Sequence, residues 1–129
     1  NENKFENKLS TYINEVRDIN DMDIIFKFDE DISILSSSKK TSLYRIICEA
    51  VNNSVRHSKA TEIDVSITAD EEFVTAVIKD NGKGFDKNNI PEGRQGIKNM
   101  HIVTVILKGT LIINSKETTG TEIICKIPV

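Results

Sequence analysis

A two-layer α/β sandwich, with a mixed but mostly antiparallel sheet and helices on one face, is the fold class the sequence predicts. Three observations predict it. Two segments carry apolar residues at helical spacing, two pairs of alternating segments flank short polar turns, and strands and helices come in runs rather than in strict alternation. With 129 residues and no repeat or low-complexity linker, the expectation is one domain spanning 1–129.

Taken in order, Phe5, Leu9, Tyr12, Ile13, Val16 and Ile19 recur at helical intervals, and Ile24, Phe26 and Phe28 then alternate as in a strand. "ILSSSKKTS" (34–42) reads as a loop that offers Thr or Ser as a helix cap. Leu43, Ile46, Ile47, Ala50, Val51, Ser54 and Val55 form a broad one-sided stripe, predicting a second helix. "IDVSI" and "FVTAVI" flank "ADEE", and "LIINS" and "TEIICKI" flank "KETTG", which predicts two hairpins. Between them, "KNNIPEGRQGIKNMHIVTVILKG" is a glycine-containing loop followed by an apolar stretch. Ile102, Val103, Thr104, Val105 and Ile106 are poor helix formers. A helix buried on more than one side is nevertheless the expectation, because the sheet already has enough strands. An exposed patch that docks a partner is the alternative.

Composition excludes several classes of function. Apolar residues at 38%, charged residues at 29% and a net charge of −3 describe neither a disordered nor a membrane chain. The acidity argues against nonspecific nucleic-acid binding, which needs a basic stripe. No segment approaches the roughly 20 apolar residues of a membrane span, and no secretory leader pattern is present. Cys48 and Cys125 lie in apolar runs without metal spacing, so free buried thiols of a cytosolic domain are expected. The sequence starts at Asn1, which suggests a piece of a longer protein.

The polar residues of the second helix are informative. Glu49, Asn53 and His57 are spaced i, i+4 and i+8, each turned only about 40° from the last, so they share a strip along the edge of the core stripe. Arg56 lies on the more solvent-facing side. A carboxylate, an amide oxygen and a nearby cation suit a hydrated Mg²⁺ with its phosphates, since Mg²⁺ prefers oxygen ligands and keeps several waters. Each residue taken singly is more ordinarily a solvated helix edge. "DNGKGF" (80–85) adds an acid at a strand end, able to accept from an amine-bearing ring such as adenine. Gly82 and Gly84 free the backbone to turn and let a flat base approach. Alone, "DNG" is also a hairpin-turn signal. A calcium loop is rejected because both glycines fall where that loop needs oxygen side chains.

"EAVNNSVRHSKA", "DNGKGF", "GRQGIKNM" and "TGTEIICKIP", in that order over residues 43–129, resemble the N, G1, G2 and terminal motifs of GHKL-type ATP-binding domains. The first motif is similar to that of bacterial sensor histidine kinases of the nitrate-sensor and desaturase-sensor class. The resemblance implies the Bergerat fold, with ATP and Mg²⁺ as ligands. It implies that Asn53 coordinates Mg²⁺, that Glu49 is the catalytic residue, polarising a water or orienting the metal shell, and that Arg56 and His57 neighbour the phosphates or ribose. Asp80 accepts from the adenine amine, Gly82 and Gly84 shape the base pocket, and Thr121 holds a bridging water. Gly93 and Gly96 give a lid its mobility, and the amide of Gly96 or Ile97 at a helix start meets phosphate oxygens.

Two departures stand out against that pattern: Arg94 replaces the first glycine of the lid's Gly-x-Gly, and Val103 stands where an arginine is expected. The implied activity is γ-phosphoryl transfer to a histidine on a dimerising helical domain, which this chain lacks; His101 has no acidic neighbour that would make it the acceptor. The isolated chain is therefore expected to bind nucleotide and turn over little. The implied partners are that helical domain, a response regulator and, for the parent protein, a second copy of itself. The chain is expected to be a cytoplasmic domain of a parent that is a candidate for membrane anchoring. An anti-sigma factor serine kinase and a non-enzymatic interaction domain with a decayed nucleotide pocket are the alternatives.

Overall fold

The computed structural model describes residues 4–85, 95–116 and 118–129, except the side chains of Glu30, Asp31 and Gln95. In chain order the elements are α1 (Lys4–Asn20), β1 (Asp23–Phe28), a 3₁₀ turn (Glu30–Ile34), α2 (Ser37–His57), β2 (Glu62–Ala69), β3 (Phe73–Asp80), α3 (Gln95–Ile106), β4 (Thr110–Lys116) and β5 (Gly120–Pro128). The strands form one sheet in the order β1-β2-β3-β5-β4. Only β1 and β2 run parallel, and α2 makes the crossover that a parallel pair requires. This is the mixed, mostly antiparallel sheet that the sequence predicts.

The alternation of each strand decides which face is covered. Ile63, Val65 and Ile67 of β2, Val74, Ala76 and Ile78 of β3, and Ile123, Cys125 and Ile127 of β5 are buried together with Leu9 and Ile13 of α1, Leu43, Ile46, Ile47, Ala50 and Val51 of α2, and Ile97 and Met100 of α3. Each large apolar side chain so buried contributes about 1.5–3 kcal/mol relative to leaving it in water. On the opposite face the register sets Lys79 between Asp64 and Glu122, an alternation of charge that suits a solvated surface.

Local chemistry sets the ends of the elements. Asp21, just after α1, takes φ 48°, the left-handed turn that closes many helices. The Arg17 guanidinium then donates through Nε to the carbonyl of Ile24 on edge strand β1 at 3.0 Å. α2 begins before the apolar stripe does. Residues 37–42, which read as loop, are its first turns, because Ser36 adopts an extended N-cap conformation and its hydroxyl accepts from the Lys39 amide at 3.3 Å. In the "ADEE" turn, Asp70 Oδ1 accepts from the amides of Glu72 and Phe73, both at 2.8 Å. "DNG", by contrast, is not a hairpin turn, since the next strand to pair with β3 is β5.

α3 is a helix, but it is not buried on more than one side. Ile97, Met100 and Thr104 face the core, and the Thr104 hydroxyl is satisfied by the Met100 carbonyl at 2.7 Å. Ile102, Val105 and Ile106 face outward at 59%, 72% and 72% exposure. The helix closes with Lys108 at φ 60° and the Gly109 amide donating to the Thr104 carbonyl at 2.9 Å. Among the described residues no helix is long and apolar enough to cross a membrane.

Candidate functional site

The strip foreseen on α2 exists as a physical surface: Glu49, Asn53 and His57 are each half-buried along one side of the helix, and Arg56 is exposed. Asn53 has a further property. Its side-chain nitrogen is buried without a hydrogen-bond partner, a cost of about 1–3 kcal/mol unless a ligand or solvent meets it. Among the described residues no three His, Cys, Asp or Glu side chains converge for a metal. A cation at Asn53 would therefore keep most of its shell as water or phosphate, which is the habit of Mg²⁺.

At the next residue, α2 grips the end of β3. Ser54 Oγ donates to Asp80 Oδ2 at 2.6 Å, while the amides of Gly82 and Thr121 donate to Asp80 Oδ1 at 3.0 and 3.2 Å. The Asp80 carboxylate is 4% exposed, so these bonds are what make its burial tolerable. Thr121 Oγ1 is bonded to Ser115 Oγ at 2.8 Å, and that serine also accepts from the Phe85 amide at 2.8 Å. The network thus ties α2, the loop after β3, and both strands of the last hairpin into one unit.

The glycines are explained by their protein neighbours. A Cβ on Gly82 would meet the backbone of Ser58 and Ala60 beyond the end of α2, and one on Gly84 would meet Lys116 and Gly120 at the β4–β5 turn. Gly120 has φ +93°, and a Cβ there would strike the carbonyl of Asp80. At the first turn of α3, the backbone of Gly96 lies against the Glu49 carboxylate, and a side chain there would have to displace it. An anionic group at a helix N-terminus is favoured by the unpaired amides there.

The structure brings expected residues together in two separate sets rather than in one cavity: Asp80 with Gly82 and Thr121, and Glu49 with Gly96. Glu49 lines a cavity of about 640 Å³ between the helices, together with Tyr12, Tyr44, Cys48, Asn52, Ile102 and Val103. Asp80, Ser115 and Thr121 line another, of about 390 Å³, at the hairpin end. Ile97 buries its side chain in the core and is available to a ligand only through its amide. Gly93, with its neighbour Arg94, lies outside the described residues. The wall near Glu49 is chemically quiet: burial pushes the Cys48 thiol up to about 11 and raises the Tyr12 hydroxyl further, while Tyr12 donates to the Cys48 carbonyl at 3.1 Å.

Sequence reasoning missed Ser54, Ser58 and Ser115. The helical spacing places Ser54 in the apolar stripe; the signal that singles it out is a hydroxyl set inside that stripe one residue after Asn53.

Comparison with known proteins accords with this geometry. The pattern of the "Histidine kinase-, DNA gyrase B-, and HSP90-like ATPase" family matches residues 38–129. The chain is 42% identical over 88 residues, 68% of its length, to the signal transduction histidine-protein kinase/phosphatase DegS of Brevibacillus brevis, covering 23% of that protein. It is 38% identical over 87 residues, 67% of its length, to the sensor protein VraS of Staphylococcus saprophyticus, covering 25% of it. The chain therefore spans about a quarter of the length of these curated relatives. Its fold matches the blue-light activated histidine kinase of Erythrobacter litoralis with a TM-score of 0.78 at 16% identity, over 93% of this chain and 40% of the other.

Proposed function

The chain belongs to the histidine kinase-, DNA gyrase B- and HSP90-like ATPase family, and from that premise we propose that it is the ATP-binding catalytic domain of a two-component sensor histidine kinase. The observation that carries the reading is the coupling of Asp80, through Ser54, to the helix position next to Asn53, whose side-chain nitrogen is buried without a partner and can donate to a ligand. An acid for the base, at the end of β3, is thereby tied to the helix that carries Asn53.

In this reading Asp80 accepts from the adenine amine, and the amides of Gly96 and Ile97 at the start of α3 take phosphate oxygens. Asn53, with Glu49 beside it, would hold Mg²⁺, whose charge offsets that of the phosphates when bound. His57 lies farther along the same strip and Arg56 on the solvent-facing side beside it, toward the ribose or phosphates. Glu49 orients rather than deprotonates, because the attacking atom in a histidine kinase is an imidazole nitrogen, which needs no base to expose its lone pair. The bond formed joins that nitrogen to the γ-phosphorus, the bond broken is that from the γ-phosphorus to the bridging oxygen, which leaves on ADP, and the proton on the other imidazole nitrogen passes to solvent.

The histidine belongs to a helical domain of the parent protein. Ile102 lines the 640 Å³ cavity that Glu49 also lines, and with the outward Val105 and Ile106 of α3 it suits the apolar side of such a helix. A response regulator as downstream acceptor, a homodimeric parent, and a cytoplasmic location for this domain complete the proposal. Calorimetric titration of the chain with Mg·ATP and Mg·GTP tests it: selective binding of ATP is expected, and no binding of ATP would leave an interaction domain with a decayed pocket.

A further inference from the structure

A carboxylate offers about four acceptor positions, two on each oxygen. At Asp80 the amides of Gly82 and Thr121 occupy Oδ1, and the Ser54 hydroxyl occupies one position on Oδ2. The remaining position is on the oxygen that Ser54 grips. We infer that Ser54 is a positioning residue: its hydroxyl fixes where the last free acceptor of Asp80 points, and so sets the preference for a purine that carries an exocyclic amine. This rests on the nucleotide reading above.

Three features support it. Ser54 is 5% exposed within the apolar stripe of α2, where a hydroxyl is costly unless it is bonded, and the bond it makes is to Asp80. At 2.6 Å, that bond has the length of a hydroxyl donating to a charged oxygen. The two amides hold Oδ1, and among the bonds described Ser54 is the one protein donor on Oδ2, the oxygen that carries the free acceptor position.

The test compares Mg·ATP with Mg·ITP, which carries a carbonyl oxygen where ATP carries the amine, by titration of the 129-residue chain and its Ser54→Ala and Ser54→Cys variants. The unsubstituted chain should prefer ATP. Ser54→Ala should weaken ATP binding about tenfold or more, the loss expected for a hydrogen bond to a charged group. ITP binding should stay nearly constant, so that the preference collapses. Ser54→Cys keeps the volume but not the strong donor, and should behave like Ser54→Ala. In the unsubstituted chain, the Ser54 Cβ resonance should shift more on adding ATP than on adding ITP.

An equal loss of both nucleotides in Ser54→Ala, an unchanged preference, a Ser54→Cys variant that prefers ATP as the parent does, or a Cβ resonance blind to the base would each overturn the role of Ser54. If the unsubstituted chain binds neither nucleotide, the nucleotide reading falls and the inference falls with it. If that chain prefers ATP and the variants keep the preference, only the inference fails.

Discussion

The two ends of the candidate site are built on different terms. At the Asp80 end a buried carboxylate is held at 2.6–3.2 Å by donors from α2, the loop after β3, and β5. At the other end Glu49 and Asn53 are half-buried, the Asn53 amide nitrogen has no partner, and Glu49 rests against the glycine that opens α3. The contrast teaches where the chain commits its structure in advance. The base end is preorganised, so it can discriminate; the phosphate end keeps its polar groups for a ligand to complete.

The largest test of this contrast is aimed at the rigid end. Gly120→Ala places a Cβ against the Asp80 carbonyl at φ +93°, and should cost about 3 kcal/mol or more, read as a lower urea midpoint. A variant that unfolds at the parent's midpoint would show that the knot at Asp80 is looser than its geometry implies. Asp80→Asn comes next. It removes the charged acceptor and should weaken ATP binding by about 1.5–3 kcal/mol in a titration. At the open end, Asn53→Ala breaks no bond within the protein and removes a buried unpaired donor, so the ligand-free chain should lose no stability, while ATP binding becomes insensitive to Mg²⁺. If both site variants bind nucleotide as the parent does, the site is misassigned.

The smallest effect sharpens the picture of the open end's wall. Burial raises the Cys48 thiol from 9.0 to about 11, so the folded chain holds that proton more tightly than the unfolded one. The associated stability is fully present below pH 9 and is lost as pH rises toward about 11. Alkylation of Cys48 by iodoacetamide should accordingly be slow at pH 8 and should speed up with pH until about 11. A rate that levels off near pH 9 would mean a wall open to water.

How much of this was legible depended on whether the cue was local. The strip of Glu49, Asn53 and His57 follows from the 3.6-residue period alone, and Asp80 announces itself as an acid closing an apolar strand. Ser54 could not be read the same way: its partner is 26 residues distant, and nothing in an apolar stripe tells a bonded hydroxyl from filler. The start of α2 was obscured because serine favours caps and turns alike, and only the geometry of Ser36 distinguishes them. For α3, the apolar run forecast burial; which side stays uncovered depends on how α2 and the sheet are placed, and no short-range pattern encodes that.

The bonds converging on Asp80 also bear on motion. Gly82 belongs to a loop and Thr121 sits at the start of a strand, locations where backbone amide protons ordinarily trade with solvent in short order. Here both protons are committed to a carboxylate that α2 also anchors, so their deuterium uptake requires a concerted opening of three elements. The mouth of the site should therefore exchange as slowly as the interior of the sheet.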